Sequence, residues 1–352
     1  MRRLLSILSI LLLASAASAA SRRRVVAQPC SLITGTPAVT ITRNEGATLT
    51  PNAEALTGVG YTYGLAALDA STLLSWHKDT LSISHDGGCS WTPVGNWTTE
   101  FPPTITNAGN GRAFAWSDNR QFLLRYDSRG AVELKSPVTE QSIIGLGASG
   151  DHVRLGDSNG TLWDSIDGGD TFAPINKVPI ASPTFFYRFA FDPKNLDHIL
   201  AGCASQGAFV TFDGGRTWKR TSLGDGFNVM SFAISPADAN VEWAMAVNGR
   251  DSTKAIHGSK DGGQTFTPVV QAGAGVTIVN QPVMAAHPTN PDVFYFVFGS
   301  HFQNYGTDLF RYDAAHGLTL THNDHHDINS IAFSPADPSI MYLGLEVEFA
   351  GP

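Results

Sequence analysis

A short motif occurs four times along this chain of 352 residues. Each copy begins with serine or threonine, continues after one residue with Asp-Gly-Gly, and ends in a hydroxyl residue followed by Trp or Phe. The copies are Ser84–Trp91, Ser165–Phe172, Thr211–Trp218 and Ser259–Phe266. The aspartates of successive copies are 81, 46 and 48 residues apart, and the first interval corresponds to two repeat units. Repetition at about 40 to 50 residues is typical of folds that use one supersecondary unit several times. We therefore expect a repeat architecture.

The residue types of the motif suit a tight turn between two strands. The aspartates Asp86, Asp167, Asp213 and Asp261 can accept hydrogen bonds from backbone N–H groups, and the paired glycines permit positive φ angles. The final aromatic residue can pack between sheets. An aspartate that recurs in every repeat is a poor candidate for a single catalytic site, so we predict a structural role for all four.

The motif resembles the Asp-box, or BNR, repeat of the sialidase-like and sortilin-like β-propellers. Weaker copies around Asn44, Asp127 and Asp313 bring the number of repeat markers to seven. In these families the box is structural and says little about activity. The resemblance implies a β-propeller, and the seven markers predict seven blades of four short strands each.

The two ends of the chain are expected to complete one blade together. Strand-type runs at 328–334 and 340–345 follow the last marker, and runs at 38–42 and 47–50 precede the first full motif. Sharing a blade closes the ring and hides the sheet edges that would otherwise be exposed. The prediction is an all-β protein with a single seven-bladed β-propeller over residues 37–352.

The first residues read as a secretory signal peptide over residues 1–20. Positive charge at Arg2 and Arg3 precedes the apolar run Leu4–Leu13, and the small residues Ala14–Ala20 offer cleavage sites. The apolar run is too short to span a membrane. We expect an extracellular or periplasmic protein with an N-terminal arm over residues 21–36.

The three cysteines allow one disulfide and one free thiol. On the predicted ring, Cys30 precedes the closing blade, and Cys89 lies in the box turn of the adjacent blade. We predict a disulfide between Cys30 and Cys89, with Cys203 buried as a free thiol.

Composition and motifs narrow the function. The 23 Lys and Arg residues against 31 Asp and Glu residues give a net charge of −8, which disfavours a nucleic-acid partner. No nucleophile motif, zinc-protease motif or phosphate-binding loop occurs, and we predict no cofactor. The glycine-rich Gly145–Gly150 precedes no helix and is interpreted as a turn between strands.

Propellers of this class usually bind at the face made by the turns between second and third strands and by the connections between blades. This face is predicted to be polar and rich in aromatic residues, like a protein interface. The candidate binding residues are Trp76, His77, Arg120, Tyr187, Arg188, Arg250, His301, Tyr305, His322 and His325.

The segment 322–327 holds the densest group of potential metal ligands in the chain, with three histidines and two aspartates. Neighbouring residues of one loop cannot all point at one metal ion. Two interpretations remain open: a solvated, hydrogen-bonded connection, and a metal-binding or pH-sensitive contact.

Binding is favoured over catalysis. In size, single-propeller build and export, the chain is similar to bacterial propellers that bind thermolysin-like metalloproteases and promote their self-cleavage. That similarity implies a monomeric, non-enzymatic protein whose partner is a secreted metalloprotease. The alternatives are a carbohydrate-binding protein, with Trp76 and Tyr305 as candidate sugar platforms, and a glycoside hydrolase of the sialidase-like propeller type. A sialidase would need an arginine cluster, a Tyr-Glu pair and an aspartate, whereas other glycoside hydrolases would need two suitably spaced carboxylates.

Overall fold

A computed structural model describes residues 39–49, 62–99, 101–117, 122–300, 306–323 and 327–346. Every regular element in these ranges is a β-strand, and the strands form seven antiparallel sheets. The described residues include no helix that is long and apolar enough to cross a membrane. The predicted signal peptide and N-terminal arm lie outside these ranges.

Six sheets have four strands each, and in every one the strands follow chain order from the innermost to the outermost. Blade 1 comprises β2 (Thr62–Ala67), β3 (Leu73–His77), β4 (Thr80–Ser84) and β5 (Thr92–Asn96). Blade 2 comprises β6 (Thr104–Gly109), β7 (Arg112–Trp116), β8 (Leu123–Asp127) and β9 (Gly130–Glu133). Blade 3 comprises β10 (Ile143–Ser149), β11 (His152–Asp157), β12 (Thr161–Ser165) and β13 (Ala173–Lys177).

The next three blades repeat this arrangement. Blade 4 comprises β14 (Phe186–Asp192), β15 (Asn195–Cys203), β16 (Gly207–Thr211) and β17 (Lys219–Arg220). Blade 5 comprises β18 (Phe227–Ile234), β19 (Glu242–Asn248), β20 (Lys254–Ser259) and β21 (Thr267–Gln271). Blade 6 comprises β22 (Met284–Ala286), β23 (Val293–Ser300), β24 (Gly306–Asp313) and β25 (Gly317–Asn323).

The seventh sheet joins the two ends of the chain. Its described strands are β26 (Asp327–Phe333), β27 (Met341–Glu346) and the N-terminal β1 (Val39–Thr42), which pairs antiparallel to β27. The innermost strands contact one another around the ring, and β26 contacts β2 to close it. The seven-bladed propeller and its shared closing blade are thus confirmed. Residues 47–49, predicted as part of an outer strand, form a bend and an irregular segment instead.

The hydrophobic core lies between neighbouring blades. Trp76 and Leu81 of blade 1 pack with Ile105 and Leu124 of blade 2, and every other pair of adjacent sheets contributes to a similar cluster. Because each sheet is covered on both faces, its middle strands are apolar on both faces. The run Val293–Val297 is entirely buried for this reason.

Antiparallel pairing sends successive turns to opposite rims of the ring. We call the rim that holds the turns between first and second and between third and fourth strands the lower rim. The upper rim holds the turns between second and third strands and the connections between blades. The four full motifs, which we call box turns, all lie on the lower rim.

One hydrogen-bond pattern holds each box turn. In blade 3 the Ser165 hydroxyl donates to Asp167 Oδ1 at 2.7 Å and accepts from the Gly169 amide at 2.8 Å. Asp167 also accepts from the amide and the hydroxyl of Thr171. These bonds, with that from the Thr171 hydroxyl first, lower the pKa of Asp167 to about 2. The carboxylate is therefore engaged in holding the turn.

The weaker copies differ from one another. Thr42 and Asn44 reproduce the box pattern, because the Thr42 hydroxyl donates to Asn44 Oδ1 at 2.9 Å and the Gly46 amide donates to Thr42. Asp127 and Asp313 instead end the third strands of their blades, the place that serine or threonine takes in a box turn. Aligning these two aspartates with the box aspartates was therefore wrong, and their turns are shorter.

The glycine-rich segment at 145–150 is not a turn, contrary to the prediction. Gly145 and Gly147 lie within β10, and only Gly150 is in the turn that follows. A Cβ atom on Gly145 would lie 2.2 Å from the carbonyl oxygen of Phe189, and one on Gly147 would lie 2.4 Å from Phe191. These glycines allow blades 3 and 4 to approach closely.

Candidate functional site

Part of the predicted site cannot be placed. Arg120, His301, Tyr305 and His325 lie outside the described residues. Cys30 does too, so its disulfide with Cys89 stays a prediction.

Cys203 is a buried free thiol, as predicted. Burial raises its pKa to about 11. The thiol is therefore protonated and unreactive at neutral pH.

Trp76 is completely buried between blades 1 and 2. Its indole nitrogen donates to the carbonyl oxygen of Lys78 at 2.6 Å, and its ring packs against Trp97 and Phe122. The side chain therefore presents no surface to a protein partner or to a sugar. Its predicted place on the binding face has to be corrected, because the tryptophan points into the core from a strand that ends at that face.

His77 ends the same strand and is also buried. Its Nδ1 lies 3.4 Å from the Thr62 hydroxyl. Burial, assisted by the positive charge of Lys78, lowers the pKa of His77 to about 4. The ring is neutral at physiological pH and packs inside the upper rim.

The predicted cluster at 322–327 begins on a strand and not in a connection. His322 belongs to β25, where its Nδ1 lies 2.7 Å from Asp308 Oδ1 of the neighbouring strand. Asp327 starts β26 and is buried. In the described ranges no group of three or more histidine, cysteine or acidic residues could hold a metal ion.

Arg250 is exposed on the turn between β19 and β20. Its backbone amide donates to Asn248 Oδ1 at 2.9 Å. The residue lies on the upper rim but does not line the central cavity described next.

Two predicted residues, Tyr187 and Arg188, come together at a cavity of about 480 Å³ on the propeller axis. The cavity is lined by innermost strands and by connections of the upper rim. Its aromatic and apolar lining includes Tyr63, Leu65, Phe101, Pro102, Met230 and Phe232. Arg188 is the single charged residue among the described residues that line it.

Two exposed phenylalanines and the half-buried Tyr187 form an aromatic patch beside this cavity. Phe101 is 46% exposed and Phe185 is 55% exposed. The ring of Tyr187 meets that of Phe185 edge to face, with 4.7 Å between the centroids. We call Phe101, Phe185 and Tyr187 the mouth patch. Exposed rings gathered at one place are typical of an interaction surface.

Sequence reasoning missed Phe101, although the chain carries a usable signal. Pro102 and Pro103 follow it directly in the connection between blades 1 and 2. Consecutive prolines cannot continue a central strand, so an aromatic residue before them is held outside the regular core.

Arg188 extends from its innermost strand toward a different blade. Its guanidinium carbon lies 5.5 Å from the centroid of the Trp116 ring. Arg188 belongs to blade 4 and Trp116 to blade 2, so the contact joins two blades that are not neighbours in the ring. A cation over a tryptophan ring is held by a cation–π interaction.

The comparisons with known proteins show to which family the chain belongs. No family model matches the chain. The dispase autolysis-inducing protein of Streptomyces mobaraensis is 42% identical over 337 residues, which covers 91% of this chain and 89% of that protein. The chain belongs to the family of the dispase autolysis-inducing protein.

Solved structures of other proteins share the propeller fold of this chain. A GH74 xyloglucanase from Xanthomonas campestris superposes with a TM-score of 0.61 at 14% identity over 82% of the chain. The chain spans 51% of that enzyme's length. YCF48 from Cyanidioschyzon merolae superposes with a TM-score of 0.59 at 11% identity, over 82% of this chain and 96% of YCF48. At such identities the likeness concerns the fold alone.

Proposed function

We propose that this protein is a secreted, non-enzymatic binding module that engages a secreted metalloprotease and alters its stability or autolysis. The observation that carries the proposal is the 42% identity to a protein whose name describes the induction of dispase autolysis. The matched region covers 91% of the chain, so the similarity is not confined to one segment. Export is supported by the signal-peptide pattern of residues 1–20.

The mouth patch is the proposed contact surface. Phe101 and Phe185 are among the exposed large hydrophobic residues of the described chain, and both lie on connections between blades. Aromatic side chains at the centre of an interface commonly supply most of its binding free energy. The closed ring holds these connections in a fixed arrangement, which lowers the entropy lost on binding.

Glycoside hydrolysis, the alternative to protein binding, is not favoured. Retaining and inverting glycosidases need two carboxyl groups that flank the scissile bond. The described residues that line the axial cavity include no aspartate or glutamate. The likeness to GH74 enzymes lies at 14% identity and carries no activity with it.

Binding to dispase tests the proposal. The mature chain is immobilised, dispase is passed over it, and surface plasmon resonance measures the dissociation constant. A parallel gel assay follows the rate at which dispase cleaves itself with and without the propeller. We expect saturable binding and faster self-cleavage. Absence of both would refute the proposed function.

Variants of the patch test the proposed surface. We expect Phe185→Ala to weaken dispase binding by about 10-fold or more, because it removes an exposed anchor from the contact. Ile166→Ala is the matched control, since Ile166 is 79% exposed but lies on a box turn of the lower rim. Weaker binding by the control, with unchanged binding by Phe185→Ala, would move the contact to the lower rim.

A further inference from the structure

A second cavity lies on the upper rim, within blade 5. Its volume is about 280 Å³. The residues that line it belong to blade 5 or directly follow its last strand, and none of them lines the axial cavity. Its polar lining consists of Asn248, Thr253, Lys254, His257 and Gln271. This blade-5 cavity is therefore separate from the mouth patch.

The repeat explains why blade 5 has room for a cavity here. When the third strands are aligned on the serine or threonine of the box turn, His257 takes the place of Trp163 in blade 3 and Phe209 in blade 4. His257 and Trp163 also share a local geometry, because each lies beside a register shift and pairs with a proline of the fourth strand. An imidazole is smaller than an indole or a phenyl ring, so this blade is less filled at the same position.

His257 is buried in the wall of the cavity, and its ring meets that of Phe227 edge to face with 6.0 Å between the centroids. Burial lowers the pKa of His257, so the ring is neutral at physiological pH. Its Nδ1 has no hydrogen-bond partner in the described part of the chain. A buried polar atom without a protein partner is uncommon and marks a position that is not optimised for packing alone.

Lys254 supplies the single charge in the lining of the cavity. Its side chain is half-buried and forms no ion pair with another described residue. Asp251, three residues earlier, is engaged elsewhere, because it accepts from the amide of Thr253 at 3.0 Å and from its hydroxyl at 2.7 Å. Lysine is seldom removed from water without a partner. A cleft with charge of one sign attracts ligands of the opposite charge.

The other side chains provide hydrogen-bond donors and an apolar wall. Asn248 accepts from the backbone amide of Arg250 with its Oδ1 at 2.9 Å, which leaves its NH₂ group available. Gln271 is exposed at the end of β21. Phe227 and Pro268 supply apolar surface on the same cavity. A cation, amide donors and an apolar wall together match a carboxylate attached to an apolar group.

We propose that the blade-5 cavity is a binding site for a carboxylate ligand with an adjoining apolar group. Lys254 pairs with the carboxylate, the amide groups of Asn248 and Gln271 donate to it, and the apolar group packs on Phe227 and Pro268. The inference goes beyond the proposed function, because it assigns a second ligand to a site away from the mouth patch.

Two small probes that differ only in the charged group test the site on the full mature chain. Saturation-transfer NMR titrations measure the dissociation constants of N-acetyl-leucine and of N-acetyl-leucinamide. We expect the acid to bind at least about 10-fold more tightly than the amide, since only the acid forms the ion pair. Lys254→Gln should remove this preference. Lys260→Gln is the matched control, because it removes an exposed lysine from the box turn of the same blade and should bind as the wild type does.

A cavity-filling variant tests the location independently of the charge. His257→Trp introduces the residue that blade 3 has at this position, and it should abolish binding of both probes while thermal denaturation shows a folded protein. Equal binding of acid and amide, binding of neither, or undiminished acid binding by Lys254→Gln would overturn the proposal. Equal losses in Lys254→Gln and Lys260→Gln would also overturn it, because they would indicate general attraction of anions.

A peptide distinguishes the two sources of such a carboxylate. If acetyl-Ala-Ala-Leu with a free C-terminus binds more tightly than N-acetyl-leucine, the ligand is a peptide C-terminus. If the peptide binds no more tightly, the ligand is a small carboxylic acid. The probes contain no protease, so these results do not depend on whether the proposed function holds.

Discussion

The two rims of the propeller use their polar side chains in opposite ways. On the lower rim, arginines of one blade reach the next. Arg154 donates to the carbonyl oxygen of Leu196 at 2.7 Å and to Asp197 at 2.6 Å. Arg125 of blade 2 makes the same kind of contact with Asp170 in the box turn of blade 3, at 2.8 Å. These side chains hold neighbouring blades together.

At the mouth of the upper rim, side chains stay exposed or line a cavity. Phe101 and Phe185 stay exposed, and Arg188 lies over a tryptophan ring and lines an open cavity. The lower rim therefore uses its polar side chains for contacts between blades, whereas the upper rim leaves aromatic rings exposed, and we propose that these rings contact the partner. Recognition residues are often placed on connections carried by a rigid scaffold, and here the lower rim supplies much of that rigidity.

The largest expected effect comes from the predicted disulfide of the lower rim. If Cys30 is bonded to Cys89, the bond closes a long loop from the N-terminal arm to the box turn of blade 1. By the chain-entropy estimate, reduction should lower the free energy of unfolding by about 4 kcal/mol. Chemical unfolding with and without a reductant measures the change.

Mass spectrometry of a non-reduced digest identifies the bond directly. Cys203 serves as the internal reference, because its buried thiol should react with an alkylating agent only after unfolding. Detection of Cys30 as a thiol in the native protein would remove the disulfide from the lower rim.

Breaking a contact between blades is the next largest perturbation. Arg154 is buried, and besides its contacts with blade 4 it lies 2.7 Å from Asp164 of its own blade. We expect Arg154→Gln to lower the free energy of unfolding by roughly 2 to 3 kcal/mol, which is below the value for a fully buried pair because Asp197 is half-exposed. Urea unfolding measures it.

Arg129→Gln is the control for that change. Arg129 also pairs with an aspartate of the lower rim, at 2.8 Å from Asp127, but its side chain is exposed and stays within one blade. We expect no measurable change in stability. If both variants were equally stable, contacts between blades would not be what distinguishes the lower rim.

A substitution near the upper rim tests whether the innermost strands are loosely packed at that end. Gly145→Ala would force a methyl group against the backbone of Phe189, so we expect a loss of about 2 kcal/mol. Gly224→Ala, where a Cβ atom would meet nothing within 4 Å, should change stability far less. Equal thermal denaturation midpoints for the two variants would show that the innermost strands are loosely packed at this end.

The sequence predicted the lower rim well because its signals are local and periodic. The four box turns follow from the repeated motif, and the shared closing blade follows from the strand-type runs at the two ends of the chain. The prediction failed at Asp127 and Asp313 because these aspartates were aligned with the box aspartates by residue type. They are the last residues of their strands, whereas each box aspartate lies in the turn after the strand. The interpretation of Gly145 as part of a turn was wrong for a different reason. A glycine-rich run resembles a turn locally, but here the close approach of the neighbouring blade requires glycine within a strand.

The upper rim was less predictable because its features belong to single blades. Trp76 and Phe101 are both aromatic residues near the upper ends of blades, yet one is buried and the other is 46% exposed. Which one faces solvent depends on packing against the next blade. Arg188 could be singled out from the sequence as a candidate, but its contact with Trp116 of another blade depends on how the blades pack around the axis.

The last comparison separates the rims by the direction of a pKa shift. Burial and the charge of Lys78 lower the pKa of His77 from 6.5 to about 4, so between these values the unfolded chain binds more protons than the folded one. Stability should therefore fall on acidification from pH 6.5 to pH 4, and His77→Gln should flatten this part of the curve. On the lower rim, burial opposes the charge on His198, but the hydrogen bond and the negative charge of Glu242 raise its pKa. His198 should contribute stability that is lost as pH rises above 6.5, so His198→Gln should leave the acid slope in place. Urea unfolding at a series of pH values measures both, and an acid slope that survives in His77→Gln would mean that the upper rim has no acid-sensitive histidine at this position.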